Sequence, residues 1–129
     1  MGYALHGHEL SLDITPVEAS ASWALAFDKE FWGKSALEKQ RAEKTHRRLA
    51  AILIGDRGIP RAGMEIKDQD GKKIGYVTSG TFSPSLKSGI ALGLFDNPIS
   101  IDTQVFIDIR GRISQGVIKR LPFQPSRVK

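Results

Sequence analysis

Few side chains in this 129-residue chain have types and spacings that could carry chemistry. Cysteine is absent, which excludes thiolate chemistry and a disulfide framework, and the three histidines are His6, His8 and His46. His6 and His8 lie two residues apart, so both could face one side of a strand. No carboxylate cluster accompanies them. We therefore predict no metal site and no Ser-His-Asp triad, and we name no catalytic residue.

The run Val77-Thr78-Ser79-Gly80-Thr81-Phe82-Ser83-Pro84-Ser85-Leu86 is rich in hydroxyl groups and contains both glycine and proline. It is not a phosphate loop, because the Lys-Ser/Thr ending and the strand-to-helix context are absent. We interpret Thr78-Ser79-Gly80 as a structural turn in which Gly80 permits a positive φ, Pro84 fixes the next bend and the hydroxyls satisfy turn backbone. The alternative is a contact with a partner protein or a substrate.

The net charge of +5 favours an anionic partner. Either a solvated helix face or a binding surface would explain the main basic cluster. A nucleic-acid-binding barrel is the rival hypothesis, but the strands lack paired exposed aromatics interleaved with basic residues, with only Tyr76, Phe82 and Phe106 as candidates. The basic cluster consists of Lys39, Arg41, Lys44, Arg47 and Arg48.

No apolar run approaches the ~20 residues that a transmembrane helix requires. The opening residues Met1-Gly2-Tyr3 lack the basic start and apolar stretch of a signal peptide. We expect no membrane association and a cytoplasmic location in a bacterium. A eukaryotic origin would instead imply mitochondria.

The first third of the chain predicts a short α/β segment. Thr15 can cap a helix that has Pro16 at its first position and Glu18 at capping-box spacing. The apolar residues 23–27 are typical of a strand. Gly33 or Ser35 opens a second helix, and the charged residues 43–48 form its end and a surface linker.

From Arg48 onward the pattern is that of β-strands. Apolar or alternating runs predict strands at 49–54, 64–66, 74–77, 90–95, 104–109 and 116–120. Asp70-Gly71 predicts a hairpin between two of them. The spacing of the strands predicts a small closed barrel or a sandwich, so the chain is mostly β and α+β overall.

An ordered set of motifs resembles the glycine-cleavage aminomethyltransferase (T-protein) family, in its C-terminal part. The Ser-Gly-x-x-Ser-Pro-Ser-Leu element within residues 77–87 is the most specific of them. The others are Leu5-His6-Gly7-His8-Glu9-Leu10, Thr15-Pro16-Val17-Glu18-Ala19 with Trp23, Phe31-Trp32-Gly33-Lys34-Ser35-Ala36-Leu37, Ile59-Pro60-Arg61, Ile74-Gly75 and Leu121-Pro122-Phe123-Gln124-Pro125.

The resemblance implies a fold and a division of the chain. Residues 44–129 would form the family's antiparallel Greek-key-type β-barrel. Residues 1–43 would be the C-terminal tail of the preceding folate-binding domain. The family's catalytic carboxylate and its folate-binding glutamate and arginine match no position here and are expected upstream of Met1.

The resemblance also implies a function. Such enzymes transfer the one-carbon unit of an aminomethyl group from the lipoyl arm of H-protein to tetrahydrofolate, with release of ammonia. The resemblance suggests four cofactor-binding residues: Trp23, Lys29, Glu9 and Arg127. Trp23 could instead be a core residue, Lys29 a solvated strand end and Glu9 the closure of a turn. We expect this chain alone to be inactive and to self-associate through residues 1–43 or leave them mobile.

Overall fold

Six antiparallel strands close into a β-barrel in the computed structural model, which describes residues 2–44 and 46–125. Their order around the barrel is β1-β4-β3-β2-β5-β6, and β6 pairs with β1 to complete the circle. Because β1 lies beside β4 after a long connection, the first four strands form a Greek key. The strands are β1 Arg48–Ile54, β2 Glu65–Lys67, β3 Lys73–Ser83, β4 Ser88–Phe95, β5 Gln104–Ile109 and β6 Arg112–Lys119. The predicted fold class is confirmed.

Side-chain alternation fills the barrel interior with branched apolar residues. In β5, Val105 and Ile107 are fully buried, as the alternating sequence predicts. Burial of one such side chain stabilises the fold by about 1.5–3 kcal/mol. The interior cluster comprises Ile52, Ile54, Ile66, Val77, Ala91, Phe95, Val105, Ile107 and Ile118.

Two smaller clusters attach the flanking segments to the outside of the barrel. Ile14 and Ala19 of the N-terminal segment pack on Leu94 of β4. After β6, Leu121 and Phe123 pack on a cluster that includes Leu49. Both flanking segments therefore share apolar contacts with barrel strands.

Two tight hairpins set the register of the sheet. The predicted turn at Asp70-Gly71 connects β2 to β3, and Gly71 adopts a φ of 81°. The turn between β5 and β6 consists of Arg110 and Gly111, both with positive φ, which is the type I′ pattern. Because this loop has only two residues, β6 begins at residue 112 and not at the predicted residue 116.

The interpretation of Thr78-Ser79-Gly80 as a turn is wrong. All three residues lie inside β3, which continues to Ser83 and bulges between Val77 and Ser79. The turn comes later, between β3 and β4, and contains Lys87 at a φ of 53°. Glycine is required at residue 80 by space, since a Cβ there would lie 2.3 Å from the carbonyl oxygen of Pro60.

The helix predicted to begin at Thr15 does not form, and residues 16–20 are a hydrogen-bonded turn in which Ala19 N donates to the Thr15 carbonyl oxygen at 3.0 Å. The capping box forms, because Thr15 N donates to Glu18 Oε1 at 2.9 Å and Glu18 N donates to Thr15 Oγ1 at 3.2 Å. Ser20 then adopts a left-handed φ of 57°, which ends the turn.

The strand predicted at residues 23–27 does not form. A 3₁₀ turn, Ser22–Ala24, occupies its start, and within the described residues no strand pairs with this stretch. Helix α1, Lys34–Glu43, begins after Gly33 and ends where Lys44 turns left-handed, as predicted. Ser35 makes no side-chain cap. Among the residues that the structure describes, no helix is long and apolar enough to cross a membrane.

Candidate functional site

Glu9 is a buried carboxylate that joins the N-terminal segment to the barrel. Its Oε2 accepts a hydrogen bond from Leu5 N at 2.9 Å, which closes the turn at residues 5–10. Its Oε1 accepts the hydroxyl of Thr78 at 2.5 Å. The neighbouring His8 Nδ1 donates to the Thr78 carbonyl oxygen at 2.9 Å. The Glu9 and His8 contacts are both made with Thr78 at the bulge of β3, inside the motif at residues 77–87.

The pKa of Glu9 lies below its ordinary value because two opposing effects act on it. Burial raises the pKa by disfavouring the charged form, while nearby hydroxyls and amides stabilise that form and prevail. The contributing groups are the Ser79 and Thr78 hydroxyls and the Leu5 amide. Within the described residues, Ser79 Oγ makes no hydrogen bond that meets the geometric criteria, so the Thr78 hydroxyl and the Leu5 amide are the defined donors to Glu9. Glu9 is therefore ionised at neutral pH.

Glu18 and Arg47 form a second anchor between the N-terminal segment and the barrel. Arg47 donates from Nε to Glu18 Oε2 at 2.6 Å and from Nη2 to Oε1 at 3.3 Å, a two-point contact. Nη2 also donates to the Asp13 carbonyl oxygen, and Leu49 N donates to the Glu18 carbonyl oxygen at 3.1 Å. Burial raises the pKa of Glu18, but Arg47 and the Thr15 amide lower it by more.

The other predicted cofactor-binding residues lie away from Glu9. Trp23 is 81% exposed in the 3₁₀ turn, so the alternative of a core tryptophan is wrong. Lys29 is exposed in a turn closed by its own N–H and the Ala26 carbonyl oxygen at 3.0 Å. In the described part of the chain no hydrogen bond or ion pair joins Trp23 or Lys29 to Glu9. Arg127 lies outside the described residues.

A cleft that we call the arginine cleft lies between the β1–β2 connection and the β5–β6 hairpin. Its volume is about 550 Å³. Four arginines line it, Arg57, Arg61, Arg110 and Arg112, against one carboxylate, Asp56. Asp56 Oδ1 accepts the Gly58 N–H at 2.7 Å. The arrangement concentrates positive potential and can attract carboxylate or phosphate groups.

A buried hydroxyl without a partner lines the arginine cleft. Ser114 is 1% exposed, and its Oγ has no hydrogen-bond partner among the described residues. Gly58 makes this packing possible, because a Cβ there would lie 2.3 Å from Ser114 Oγ. Arg61 donates from Nη1 to the Gly80 carbonyl oxygen at 3.3 Å, which connects the cleft to β3.

Sequence reasoning missed the arginine cleft. It assigned no binding role to Arg57, Arg61, Arg110 or Arg112. The available signal was the pair of Arg-Gly dipeptides at residues 57–58 and 110–111, each typical of a turn that carries a cation. Their proximity depends on closure of the barrel, which sequence periodicity does not specify.

No three metal-ligating side chains come together within the residues described by the structure. Of the three aromatic candidates for nucleic-acid stacking, Phe82 is exposed, whereas Tyr76 and Phe106 are half-buried. Tyr76 packs against the cluster of Ile14, Ala19 and Leu94. It is therefore partly covered by the N-terminal segment.

Comparison with known proteins gives consistent results for family and fold. Residues 47–124 match the model of the glycine cleavage T-protein C-terminal barrel domain. The chain is 48% identical over 124 residues to an aminomethyltransferase of Parafrankia sp., covering 95% of this chain and 34% of that protein. Its identity to an aminomethyltransferase of Phocaeicola vulgatus is 44% over 127 residues, covering 96% and 35%.

A solved structure gives the same result. The crystal structure of glycine cleavage system aminomethyltransferase T from Bartonella henselae superposes with a TM-score of 0.85 at 32% identity, covering 95% of this chain and 36% of that one. The chain therefore spans about a third of the length of the relatives it matches.

Proposed function

We propose, from the premise that this chain belongs to the glycine cleavage T-protein family, that it forms the C-terminal part of a tetrahydrofolate-dependent aminomethyltransferase. The donor would be the aminomethyl group on the lipoyl arm of H-protein. The one-carbon unit passes to tetrahydrofolate as a methylene bridge between two folate nitrogens. Ammonia leaves with the donor nitrogen, and the lipoyl thiol is regenerated.

The observation that carries this proposal is the extent of the match. Similarity to aminomethyltransferases runs through the N-terminal segment, α1 and the whole barrel without a break in order. A shared barrel alone would support only a fold, because folds host many functions. We propose a boundary between residues 43 and 44, with a folate-domain tail before it and the barrel domain after it.

Docking of H-protein is the role that the arginine cleft supports best. Arg61 and Arg110 offer planar guanidinium groups that can each hold a carboxylate at two points. Arg57 and Arg112 add charge that would steer an acidic protein surface toward the cleft. The buried Ser114 hydroxyl can donate a hydrogen bond to a bound group.

Tetrahydrofolate binding would involve the residues outside the barrel. The exposed indole of Trp23 can stack on a flat heteroaromatic ring, as a pterin requires. Lys29 and Arg127 would offer cationic groups to the folate glutamate. Both Glu9 oxygens already accept hydrogen bonds, so its contribution would be to hold the turn at residues 5–10.

Transferase activity is expected to be absent from the 129-residue chain alone. The chain spans about a third of the length of its relatives, and we expect the family's catalytic carboxylate to match none of its positions. We expect only weak folate binding for the same reason. The proposed location is the bacterial cytoplasm.

Self-association through residues 1–43 also has support. Leu12 and Trp32 are fully exposed, and Tyr3, Leu5 and Trp23 are more than half exposed. Large apolar side chains at this density on a small segment are typical of a surface covered by another polypeptide. We propose that a second copy covers it, and sedimentation of Trp32→Ser should show a shift toward monomer.

Titration of the chain with lipoylated H-protein at low and high salt tests the docking proposal. We expect binding that weakens steeply with salt, and a loss of about tenfold for Arg61→Ala or Arg110→Ala. Lys72→Ala, which removes an exposed charge outside the cleft, is the matched control. Equal losses in all three variants, or no binding at low salt, would contradict docking at this site.

Calorimetry with tetrahydrofolate tests the remaining part of the proposal. The expected result is weak binding that Trp23→Ala weakens further, and no turnover with aminomethylated H-protein. Micromolar affinity would mean that the folate pocket lies within these residues. Turnover by the isolated chain would overturn the expected inactivity and leave the family unchanged.

A further inference from the structure

A second basic cleft, separate from the arginine cleft, lies where three elements converge. The turn that follows Glu18 contributes Ser20 and Ser22. The end of α1 contributes Arg41 and Lys44, and the residues at the start of β1 contribute His46 and Arg48. Its volume is about 350 Å³, and it shares no lining residue with the arginine cleft. We call it the basic notch.

The positive charge of the basic notch is not neutralised locally. Among the residues that the structure describes, no carboxylate lines it. Within residues 2–44 and 46–125, neither Arg41, Lys44 nor Arg48 makes an ion pair. The carboxylate adjacent in sequence, Glu18, already meets Arg47 at two points. Three full positive charges therefore lie around one concave surface.

Contacts within the protein restrain the Arg41 side chain and the Lys44 backbone before any ligand arrives. The Arg41 guanidinium carbon lies 5.1 Å from the ring centre of Phe27, a cation–π contact that limits its motion. Lys44 adopts a left-handed φ of 56° that ends α1, and its N–H donates to the Gln40 carbonyl oxygen at 3.3 Å. A donor fixed in advance loses less entropy on binding.

His46 adds an imidazole ring to the notch. Its Nδ1 donates to the Arg47 carbonyl oxygen at 2.5 Å. Ser20 and Ser22 add hydroxyls that can donate to an anion. The notch therefore combines guanidinium, ammonium and hydroxyl donors on one surface.

We propose that the basic notch binds a multivalent anion bearing several carboxylate or phosphate groups. A single small anion would satisfy only part of this donor set, whereas linked anionic groups would engage α1 and β1 together. A γ-linked chain of glutamates and a polyphosphate share this chemistry. The proposal does not depend on the proposed transferase function.

Calorimetry of the 129-residue chain with tetra-γ-glutamate and with tripolyphosphate, at about 0.1 M salt, tests the notch. The expected result is binding of at least one probe, weakened about tenfold or more by the paired change Arg41→Gln and Lys44→Gln. The matched control removes two exposed charges that line neither cleft, by Lys72→Gln and Lys87→Gln. It should weaken binding much less.

The outcomes distinguish a carboxylate ligand from a phosphate ligand, and specific binding in the notch from a general effect of net charge. Tighter binding of tetra-γ-glutamate assigns the notch to a carboxylate chain, and tighter binding of tripolyphosphate assigns it to phosphate. Equal losses in both paired variants would mean a general effect of net charge and would overturn the proposal, as would no binding of either probe. Chemical-shift changes at Ser20, Ser22 and His46 on titration give a readout that does not depend on the variants. Failure here would leave H-protein docking at the arginine cleft untouched.

Discussion

The carboxylate of Glu9 and the hydroxyl of Thr78, 69 residues apart in the chain, meet in a buried hydrogen bond of 2.5 Å. Glu9 belongs to the turn that begins the N-terminal segment, and Thr78 belongs to the bulge of β3. With the Glu18–Arg47 pair, this bond fastens the segment to the outside of the barrel. The first predictions concern these two connections.

Removal of either partner of the Glu9–Thr78 bond should destabilise the protein. We expect Glu9→Gln and Thr78→Val each to lower the free energy of unfolding by about 1–3 kcal/mol, because a buried polar group loses its partner. The double variant should cost less than the sum of the two changes. Urea unfolding measures all three. Glu65→Gln, at an exposed carboxylate, is the control and should change stability by under ~0.5 kcal/mol.

Stability should fall as the solution becomes acidic. The pKa values of Glu9 and Glu18 lie below the ordinary value of 4.5 in the folded protein, so folding favours their ionised forms. Their contribution is complete above the unfolded pKa and is lost as pH falls through the folded pKa. Urea midpoints should be level above about pH 5.5 and decline below about pH 4.5. Replacement of both by Gln should flatten that decline, and a rise in stability on acidification would contradict this assignment.

The two-point contact of Arg47 with Glu18 should stabilise the protein more than the positive charge alone would. Arg47→Lys keeps the charge and loses the fork that meets both Glu18 oxygens. Since the Arg47 side chain is 34% exposed, we expect a loss of about 1–2 kcal/mol for lysine and more for Arg47→Met. Hydrogen exchange of the Leu49 amide, which bonds to the Glu18 carbonyl oxygen, should accelerate in both variants. An unchanged exchange rate would mean that the Glu18–Arg47 ion pair does not hold the N-terminal segment on the barrel.

Gly80→Ala should strain the contact between β3 and the β1–β2 connection. The added Cβ would lie 2.3 Å from the Pro60 carbonyl oxygen, and overpacking of backbone typically costs about 1–3 kcal/mol. Displacement of the connection would also disturb Arg61 in the arginine cleft. Gly55→Ala is the control, because its nearest atom would be 3.7 Å away. Thermal unfolding of the two variants should differ clearly.

Ser114→Ala should affect binding and stability differently. Its buried Oγ has no hydrogen-bond partner, so removal of the hydroxyl should leave the free energy of unfolding unchanged within ~0.5 kcal/mol or raise it. If the hydroxyl serves a ligand of the arginine cleft, affinity for lipoylated H-protein should fall. Destabilisation by more than about 1 kcal/mol would mean that Ser114 has a partner in the folded protein.

Sequence patterns predicted those parts of the barrel that are determined by residues close together in the chain. Residues 104–109 place Val105, Ile107 and Ile109 at alternate positions and form β5 with the predicted bounds. Asp70-Gly71 specifies a hairpin through local backbone preference alone. In these cases the information lies within a few neighbouring residues.

The sequence predictions that failed share a physical cause. In each case the structure depends on residues that are distant in the sequence. Residues 23–27 are apolar enough for a strand, but no neighbouring strand supplies their hydrogen bonds. The burial of Glu9 depends on Thr78, and Gly80 is required by Pro60. Local propensity carries no information about such contacts, so the anchoring of the N-terminal segment emerges only from the folded chain.

Because β1 and β6 are hydrogen-bonded neighbours, with Ala51 opposite Lys119, the polypeptide enters and leaves the barrel on adjacent strands. A host polypeptide could accept such a module as an insertion, and a short linker joining these strands would permit new ends at the β3–β4 turn. This arrangement would allow circular permutation of the barrel at the β3–β4 turn.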